Sequence, residues 1–334
     1  MTDDDVRAAI ARDRTLVKTW TVRGTLHLVP ARDLSLYVAA YGAIRRERVV
    51  QWLGRAGLTR RELERLSADI VEALAAGPLT RRQIGTRVGA AHGPTARRLL
   101  EHSWGGVFHH AVQEGLVCFG PTEGAQTTFV RVDQWLGTTL PVTECAPAEA
   151  ELARRFLLAY GPATARDFAY WAGLYAGDAR RMWERIEGER REITIDGRSA
   201  WVHASTRLPR PGGKGASRNG TPHVRLLPHF DAFLLGHRDK VAYIESARYK
   251  RVFKNAGWIS PVVLVDGRVV ATWSAERVGD RLVARIAAFR TLDPAVRRNV
   301  AAEAAALGAF VGAEARVRYG APAKKRAKLP WTGP

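Results

Sequence analysis

The stretch "TWTVRGTLHLVP", Thr19–Pro30, brings an arginine, a histidine and threonine hydroxyls together on one short run of the chain. Its leucine- and valine-rich composition, ended by a proline, predicts a single β-strand. Side chains alternate between the two faces of a strand, so the polar ones are expected together. They are Thr21, Arg23, Thr25 and His27. Such a face is either a solvent-exposed edge or the wall of a functional site.

His27 and Asp33 are the candidate catalytic residues, because they are the polar groups closest to this run. A histidine titrates near neutral pH, and either side chain could position a water molecule. Each also has a structural interpretation. A lone histidine on a strand is often held by a hydrogen bond, and Asp33 stands where it would cap the helix predicted for "RDLSLYVAAYGAIRRERV".

Positive charge is the most informative feature of the composition. The chain has 52 basic and 33 acidic residues, a net charge of +19, and 44 of the basic residues are arginines. Arginine makes bidentate bonds to phosphate and to guanine. Codon use in a GC-rich genome explains arginine in place of lysine, but it does not explain the excess of positive charge. The composition therefore predicts duplex nucleic acid as the partner.

Cysteine and histidine spacing gives no sign of a metal site. Cys118 and Cys145 form neither a disulfide framework nor a zinc-ligand pattern. The adjacent His109 and His110 would point about 100° apart on a helix, which does not favour a shared ion. We expect no metal and no other cofactor.

The hydropathy pattern also limits location and partners. No run of about 18 apolar residues predicts a membrane span. The start "MTDDDV" lacks the basic-then-apolar order of a signal peptide. We expect a cytoplasmic protein with no membrane partner and, since no dimerisation signature is present, a monomer. A length of 334 residues predicts more than one domain.

A pattern of helix boundaries occurs twice in the chain. "GPLTRRQI", residues 77–84, and "GPATARDF", residues 161–168, each combine a glycine helix end with a threonine cap. A glutamine or aspartate follows that threonine by three residues, as in a capping box. Amphipathic helices are predicted before them over Thr59–Ala76 and Ala148–Tyr160, the first with its own Thr59 and Glu62 capping box.

Each repeat is followed by a third helix and a predicted β-hairpin. The first hairpin surrounds "GPTEGAQ", and the second turns at Asp196-Gly197 between Ile193–Ile195 and Ser199–His203. Asp-Gly between apolar runs is a strong hairpin signal. Three helices followed by a hairpin form the winged-helix plan, so two such matches predict tandem winged helices.

The last third of the chain is predicted to be rich in β-strands. "HVRLLPHFDAFLLGHRDK", "WISPVVLVDGRVVATWS" and "LVARIAAF" are strand-like, with a second hairpin turn at Asp266-Gly267. They predict a small barrel or curved sheet closed by a helix over about Pro294–Val311. The pair Phe230-Asp231 is interpreted as a buried turn.

The predicted fold class is α+β, with tandem winged-helix units and a C-terminal small β-barrel or curved sheet. Six segments are expected: 1–58, a remnant of a first winged-helix unit; 59–140 and 141–206, two winged-helix units; 207–222, a flexible basic linker; 223–312, a β-barrel-like domain with its closing helix; and 313–334, a basic tail.

Basic and hydroxyl residues on the predicted strand, at helix starts and in the linker are the candidate contacts to DNA. They are Arg23, Thr25, Arg81, Arg82, Arg97, Arg98, Arg166, Arg180, Arg181, Lys214 and Arg218. For any one of them a solvated surface position is the alternative.

Four segments resemble the bacterial tandem winged-helix family that includes the azinomycin-resistance, AlkZ-like DNA glycosylases. They are "RTLVKTWTVRGTLHLVP", "GPATARDFAYWAGL", "LLPHFDAFLLGHRDK" and "VVLVDGRVVATW", and they span about Arg14 to Trp273. The resemblance implies a C-shaped scaffold of winged helices and a β-barrel whose basic concave face holds duplex DNA. It also implies hydrolysis of the N-glycosidic bond of alkylated purines, in some members with unhooking of interstrand crosslinks.

The catalytic motif that the resemblance implies, Gln-x-Gln or Gln-x-Asp upstream of the arginine-histidine run, has no counterpart among the glutamines of this sequence. These are Gln51, Gln83, Gln113, Gln126 and Gln134. Hydrolysis passes through an oxocarbenium-like state, so a group must position water and stabilise positive charge. Either the start codon lies further upstream or this chain has lost the chemistry. A non-catalytic DNA-binding protein and a scaffold for a protein partner are the alternatives.

Overall fold

A computed structural model describes residues 1–101, 106–123, 126–208 and 221–320. The chain forms two compact units. Of the residues that the structure describes, those within 6–161 and 172–203 form the N-terminal unit, and those within 1–5, 162–171, 204–208 and 221–320 form the C-terminal unit. The six domain boundaries expected from the sequence stay predictions. Lys214 and Arg218 lie outside the described residues.

Helices and short strands alternate through the first two thirds of the chain. The helices are α1 Asp3–Ala11, α2 Leu34–Arg55, α3 Arg60–Ala73, α4 Arg81–Val88, α5 Gly93–Leu100, α6 Phe108–Gln113, α7 Val132–Leu136, α8 Cys145–Tyr160, α9 Ala165–Ala172 and α10 Ala176–Glu184. The strands are β1 Leu16–Trp20, β2 Leu26–Pro30, β3 Leu79–Thr80, β4 Val117–Glu123, β5 Gln126–Arg131, β6 Arg190–Ile195 and β7 Arg198–His203.

The C-terminal third is mainly sheet. Its elements are β8 Val224–Leu227, α11 Ala232–Leu235, α12 Tyr249–Val252, β9 Val262–Val265, β10 Arg268–Val278, β11 Arg281–Ala288, α13 Pro294–Phe310 and β12 Glu314–Tyr319.

The repeated capping pattern and both Asp-Gly hairpins are confirmed. Thr80 caps α4 in a full capping box with Gln83. In the second repeat the Thr164 N–H donates to the Asp167 carboxylate (2.9 Å), and the Asp167 N–H donates back to the Thr164 hydroxyl (3.2 Å). Each box satisfies N–H groups that a helix start leaves without partners. A run of helices followed by a hairpin thus occurs twice, with α3 to α6 before β4 and β5, and α8 to α10 before β6 and β7. The first unit has one helix more than predicted, and the α+β winged-helix class is confirmed.

The prediction of a single strand over Thr19–Pro30 is wrong. The chain reverses between β1 and β2, which pair antiparallel with Trp20 opposite Leu26. The reversal occurs because Arg23 and Gly24 adopt left-handed conformations with φ of 58° and 69°. The polar residues expected on one strand face therefore lie largely in a turn.

The described residues form two five-stranded sheets and the separate two-stranded sheet β6-β7. In the N-terminal unit the strand order is β2-β1-β4-β5-β3, so the turn segment shares its sheet with the first predicted wing. The core beneath it contains Phe108 stacked on Phe129 at 4.3 Å between ring centroids.

In the C-terminal unit the order is β12-β11-β10-β9-β8. The sheet ends on β12 and β8, so it is a curved open sheet and not a closed barrel. Residues 314–319, placed in a basic tail by the sequence, form β12 and pair parallel with β11.

A buried carboxylate joins α8 to α10. The Glu149 side chain is 3% exposed and accepts hydrogen bonds from Arg181 (3.1 Å) and Arg185 (2.7 Å). Burial opposes ionisation of Glu149, but the two guanidinium groups outweigh it and hold its pKa below the ordinary value of 4.5. A carboxyl with a lowered pKa stabilises the fold at neutral pH and loses this contribution as the pH falls through that pKa.

We predict that Glu149→Gln lowers the free energy of unfolding by about 2 kcal/mol at neutral pH, because two charge-assisted hydrogen bonds are lost. The difference from the unmodified protein should shrink in acid, where Glu149 itself becomes protonated. Urea unfolding at neutral and acidic pH measures both values. Glu184→Gln, at an exposed position on α10, is the matched control and should change stability little. An equal loss at both pH values would contradict the ion-pair account.

Candidate functional site

The turn between β1 and β2 is closed by backbone hydrogen bonds and by a close contact with another segment. The Thr21 N–H donates to the Thr25 carbonyl (3.2 Å), and the Gly24 N–H donates to the Thr21 carbonyl (2.9 Å). Gly173 lies against the turn, and a Cβ at that position would stand 2.8 Å from the Cα of Arg23. Only glycine therefore permits this approach to Arg23, whose own φ of 58° is unusual for a residue with a side chain.

A charged and polar interior lies behind the turn. Thr21, Tyr41 and Gln113 line one small cavity with Arg45, and each of the four is at most 7% exposed. The Arg45 guanidinium lies 3.7 Å from the centre of the Tyr41 ring and donates to the Ala172 carbonyl (3.2 Å). Burial lowers the pKa of Arg45 to about 10, which leaves it charged at neutral pH. Arg45 is not among the site residues predicted from the sequence, because it stands within a run of basic residues typical of a surface.

His27 is held in one tautomer by the turn. Its Nδ1 lies 2.8 Å from the Thr25 carbonyl oxygen. A carbonyl only accepts hydrogen bonds, so Nδ1 carries the proton and Nε2 keeps its lone pair. Burial lowers the pKa of His27, assisted by the nearby positive charges of Arg23 and Arg45. His27 is therefore a neutral imidazole at neutral pH, with one nitrogen able to accept a hydrogen bond.

Asp33 is engaged in an ion pair. Its two carboxylate oxygens accept from Nη1 (2.8 Å) and Nη2 (3.2 Å) of Arg155 on α8. The predicted capping role is wrong, because Asp33 occupies the N-cap position of α2 and makes no side-chain hydrogen bond to it. A bidentate bond to a guanidinium is stronger than a single bond to a backbone N–H, which explains the preference.

An aromatic cleft of about 850 Å³ opens beside the turn. We define it by Trp20, His109, Phe119, Phe129 and Arg81. The Trp20 ring lies 4.1 Å from the His109 ring and meets Phe119 edge-on at 4.6 Å. The polar residues that also line it are Thr25, Thr80, Arg82, Glu101, Gln126 and Thr127. Flat apolar walls with a polar rim suit a planar ligand.

Arg81 lies inside this cleft and not on an outer surface. Its guanidinium stands 4.8 Å from the centre of the Phe108 ring and donates to the Leu100 carbonyl (3.3 Å). Burial lowers the pKa of Arg81. Its neighbour Arg82 is exposed and also lines the cleft. The two adjacent arginines predicted as phosphate contacts therefore occupy different environments.

The other predicted DNA contacts differ in how accessible they are. Arg97 and Arg98 are exposed on α5, with Arg97 3.8 Å from the Glu101 carboxylate. Arg180 is exposed on α10. Arg181 forms ion pairs with two carboxylates, those of Glu149 (3.1 Å) and Asp178 (3.0 Å).

In the C-terminal unit Arg166 is exposed on α9. Thr25, in the turn, donates its hydroxyl to the Val22 carbonyl (3.0 Å).

The described ranges contain no cluster of metal-ligating side chains and no helix that could span a membrane. No group of three or more histidine, cysteine, aspartate or glutamate side chains gathers there in a way that could hold an ion. His109 belongs to the aromatic cleft, while His110 is buried in the core. None of the helices in the described part of the chain is long and apolar enough to cross a bilayer.

Comparison with known proteins gives a consistent result. A family model described as DNA glycosylase AlkZ-like matches residues 1–310. An interstrand DNA cross-link repair glycosylase from Streptomyces sahachiroi is 30% identical over 267 residues, which are 78% of this chain and 71% of that protein. The solved structure of the Streptomyces sahachiroi DNA glycosylase AlkZ matches with a TM-score of 0.77 at 28% identity, covering 95% of this chain and 85% of that chain.

These matches cover the tandem winged-helix units and most of the C-terminal sheet, so they concern the scaffold as a whole and not one module. They favour the glycosylase interpretation over a non-catalytic DNA-binding protein. This chain belongs to the AlkZ-like DNA glycosylase family.

Proposed function

We propose that this protein is a DNA-repair glycosylase that binds duplex DNA and holds an alkylated or cross-linked purine in the aromatic cleft. The cleft is the observation that carries the proposal. It joins stacking walls to two arginines, and it lies within one compact unit of a chain with a net charge of +19. The cross-link repair activity in the name of the relative has the same class of substrate.

Exposed arginines support the binding step. Arg82, Arg97, Arg98 and Arg180 present guanidinium groups on helices of the N-terminal unit. Contacts of this kind to phosphates release counterions and carry no sequence information. Binding is therefore expected to be strong at low salt and nearly independent of sequence. We also propose that the protein acts as a monomer in the cytoplasm.

The walls of the cleft suit an alkylated base. Its volume of about 850 Å³ is in the range typical of small-molecule sites. A purine alkylated on its ring carries positive charge, and the ring of Trp20, which is only partly buried, attracts cations as well as planar rings. The same positive charge makes the base a good leaving group. A strong general acid is therefore not needed, and the remaining task is to position a water molecule at the sugar.

Among the two candidate catalytic residues, the geometry favours His27 over Asp33 as a group that could accept a hydrogen bond from that water. Nε2 of His27 keeps its lone pair, whereas both Asp33 oxygens accept from Arg155. Neither replaces the Gln-x-Gln motif that the resemblance implies, which no two glutamines of these 334 residues form. We therefore propose that these 334 residues bind DNA and the damaged base. His27 remains a candidate for positioning the water molecule.

A first test concerns phosphate contacts on α5. The double variant Arg97→Ala/Arg98→Ala should weaken duplex binding equally for all sequences. The slope of log affinity against log salt should fall by about 2, because each phosphate contact contributes about 0.9. Glu101→Gln is the opposing control, since it frees Arg97 and should tighten binding. Fluorescence anisotropy at several salt concentrations measures these effects, and a change in sequence preference would mean that α5 reads bases.

A second test concerns the stacking wall. Trp20→Ala should lower the preference for a duplex with one 7-methylguanine over an undamaged duplex by about tenfold, since stacking on an aromatic side chain is worth about 1–3 kcal/mol per base. Trp20→Phe should retain most of that preference. Trp52→Ala, at a position 44% exposed on α2, is the control for loss of a tryptophan elsewhere. Competition binding measures the preference. An unchanged preference in Trp20→Ala would contradict the proposal that the base binds in this cleft.

A third test concerns catalysis. A polypeptide of these 334 residues is expected to bind a 7-methylguanine duplex and to leave the glycosidic bond intact. A polypeptide that also carries an in-frame upstream Gln-x-Gln, where the genome encodes one, is expected to release the base. Chromatographic detection of free 7-methylguanine distinguishes the two. Base release by the 334 residues alone would show that they contain the water-positioning group, and loss of that release in His27→Ala, but not in Asp33→Asn, would identify it.

A further inference from the structure

Phe230 adopts a backbone conformation that bulky residues avoid. Its φ is 58°, and the residue is 45% exposed. The interpretation of Phe230-Asp231 as a buried turn is therefore wrong for the phenylalanine. Asp196 and Asp266 share the positive φ, but they occupy Asp-Gly hairpin turns, where it is expected. Phe230 precedes α11 and lies in no hairpin turn that would require a positive φ. Backbone strain without such a local reason is most common at functional sites.

The residues on both sides hold Phe230 in place. The His229 ring bonds through Nδ1 to the Ile259 carbonyl (3.0 Å). On the other side the Asp231 carboxylate accepts from the Phe233 N–H (2.9 Å) and so caps α11. With both neighbours fixed, the phenyl ring is presented to solvent on a rigid support.

The Trp258 side chain packs against the ring of Phe230. The Phe230 and Trp258 rings meet edge-on with centroids 5.1 Å apart, and the His229 ring lies 4.9 Å from Trp258. The N–H of Lys254 donates to the Trp258 carbonyl (2.8 Å), and the Lys254 side chain is exposed. A positive charge therefore accompanies the exposed aromatic group, which is a combination typical of nucleic-acid contacts.

The segment that carries Phe230 is fastened to the helix that carries Arg166. The Arg238 N–H donates to the Asp167 carboxylate (2.9 Å), and Nε2 of His237 bonds to the Pro162 carbonyl (3.1 Å). All of these residues belong to the C-terminal unit. Only α11, about 6 Å long, and a short turn separate Phe230 from this attachment. The ring and the exposed Arg166 therefore lie in one compact unit, on segments that these hydrogen bonds join.

We propose that Phe230 is a wedge residue that inserts between adjacent base pairs of duplex DNA, an inference that rests on the proposed DNA-binding function. Apolar side chains that enter a base step unstack it and kink the duplex. Arg166 and Lys254 would meet phosphates on either side of that step.

The test uses duplexes with 2-aminopurine at the central step, whose fluorescence rises when its stacking is lost. The protein should raise this fluorescence at saturation and should prefer a duplex with a central abasic analogue. Phe230→Gly should abolish the rise and lower that preference about tenfold, as expected for loss of one stacking contact. Phe230→Trp should retain both. Phe233→Ala, at a neighbouring position that is 40% exposed, is the matched control and should behave like the unmodified protein.

Phe230→Gly is chosen because glycine adopts a φ of 58° without strain, so the fold should be kept. A native circular dichroism spectrum checks this. An unchanged fluorescence rise in Phe230→Gly, or an equal loss in Phe233→Ala, would overturn the wedge. Binding by the unmodified protein with no rise in fluorescence would overturn the wedge alone. Failure of the unmodified protein to bind any duplex would instead overturn the proposed function, and the wedge with it.

Discussion

The contact between Gly173 and the turn at Arg23-Gly24 is the constraint on which the N-terminal unit depends. A Cβ at Gly173 would lie within 2.8 Å of the Arg23 Cα, so the two segments meet only because that position has no side chain. The turn places β1 between β2 and β4. Trp20, the last residue of β1, then lines the aromatic cleft together with Gly24 and Thr25. His27 acquires its tautomer from the same turn.

Arginine serves two physical purposes in this protein. Some guanidinium groups are turned inward, where aromatic faces and carbonyl oxygens replace water, as for Arg45 and Arg81. Others remain exposed, as for Arg98 and Arg166. A guanidinium suits both uses because it is weakly hydrated, stacks on rings and stays charged. The net charge of +19 is therefore larger than the positive charge that phosphates can reach, since some of the arginines are engaged inside the protein.

Backbone strain and aromatic groups occur together in both units. Arg23, with a φ of 58°, precedes the residues that line the aromatic cleft. Phe230, with the same φ, is itself one of the exposed rings of the C-terminal unit. In each case neighbouring hydrogen bonds hold the conformation that the isolated residue would avoid.

Features whose partners are close neighbours in the chain follow from the sequence alone. Capping boxes such as Thr80 with Gln83, and the Asp-Gly hairpins, involve partners within a few positions, so their geometry is encoded locally. The segments that resemble the glycosylase family pointed to the scaffold and its DNA partner. Features whose partners are distant in the chain become visible only in the folded protein. The turn at Arg23 needs Gly173, the ion pair of Asp33 needs Arg155, and β12 needs β11. No local pattern reports such contacts, because the free energy that fixes them comes from packing between remote segments.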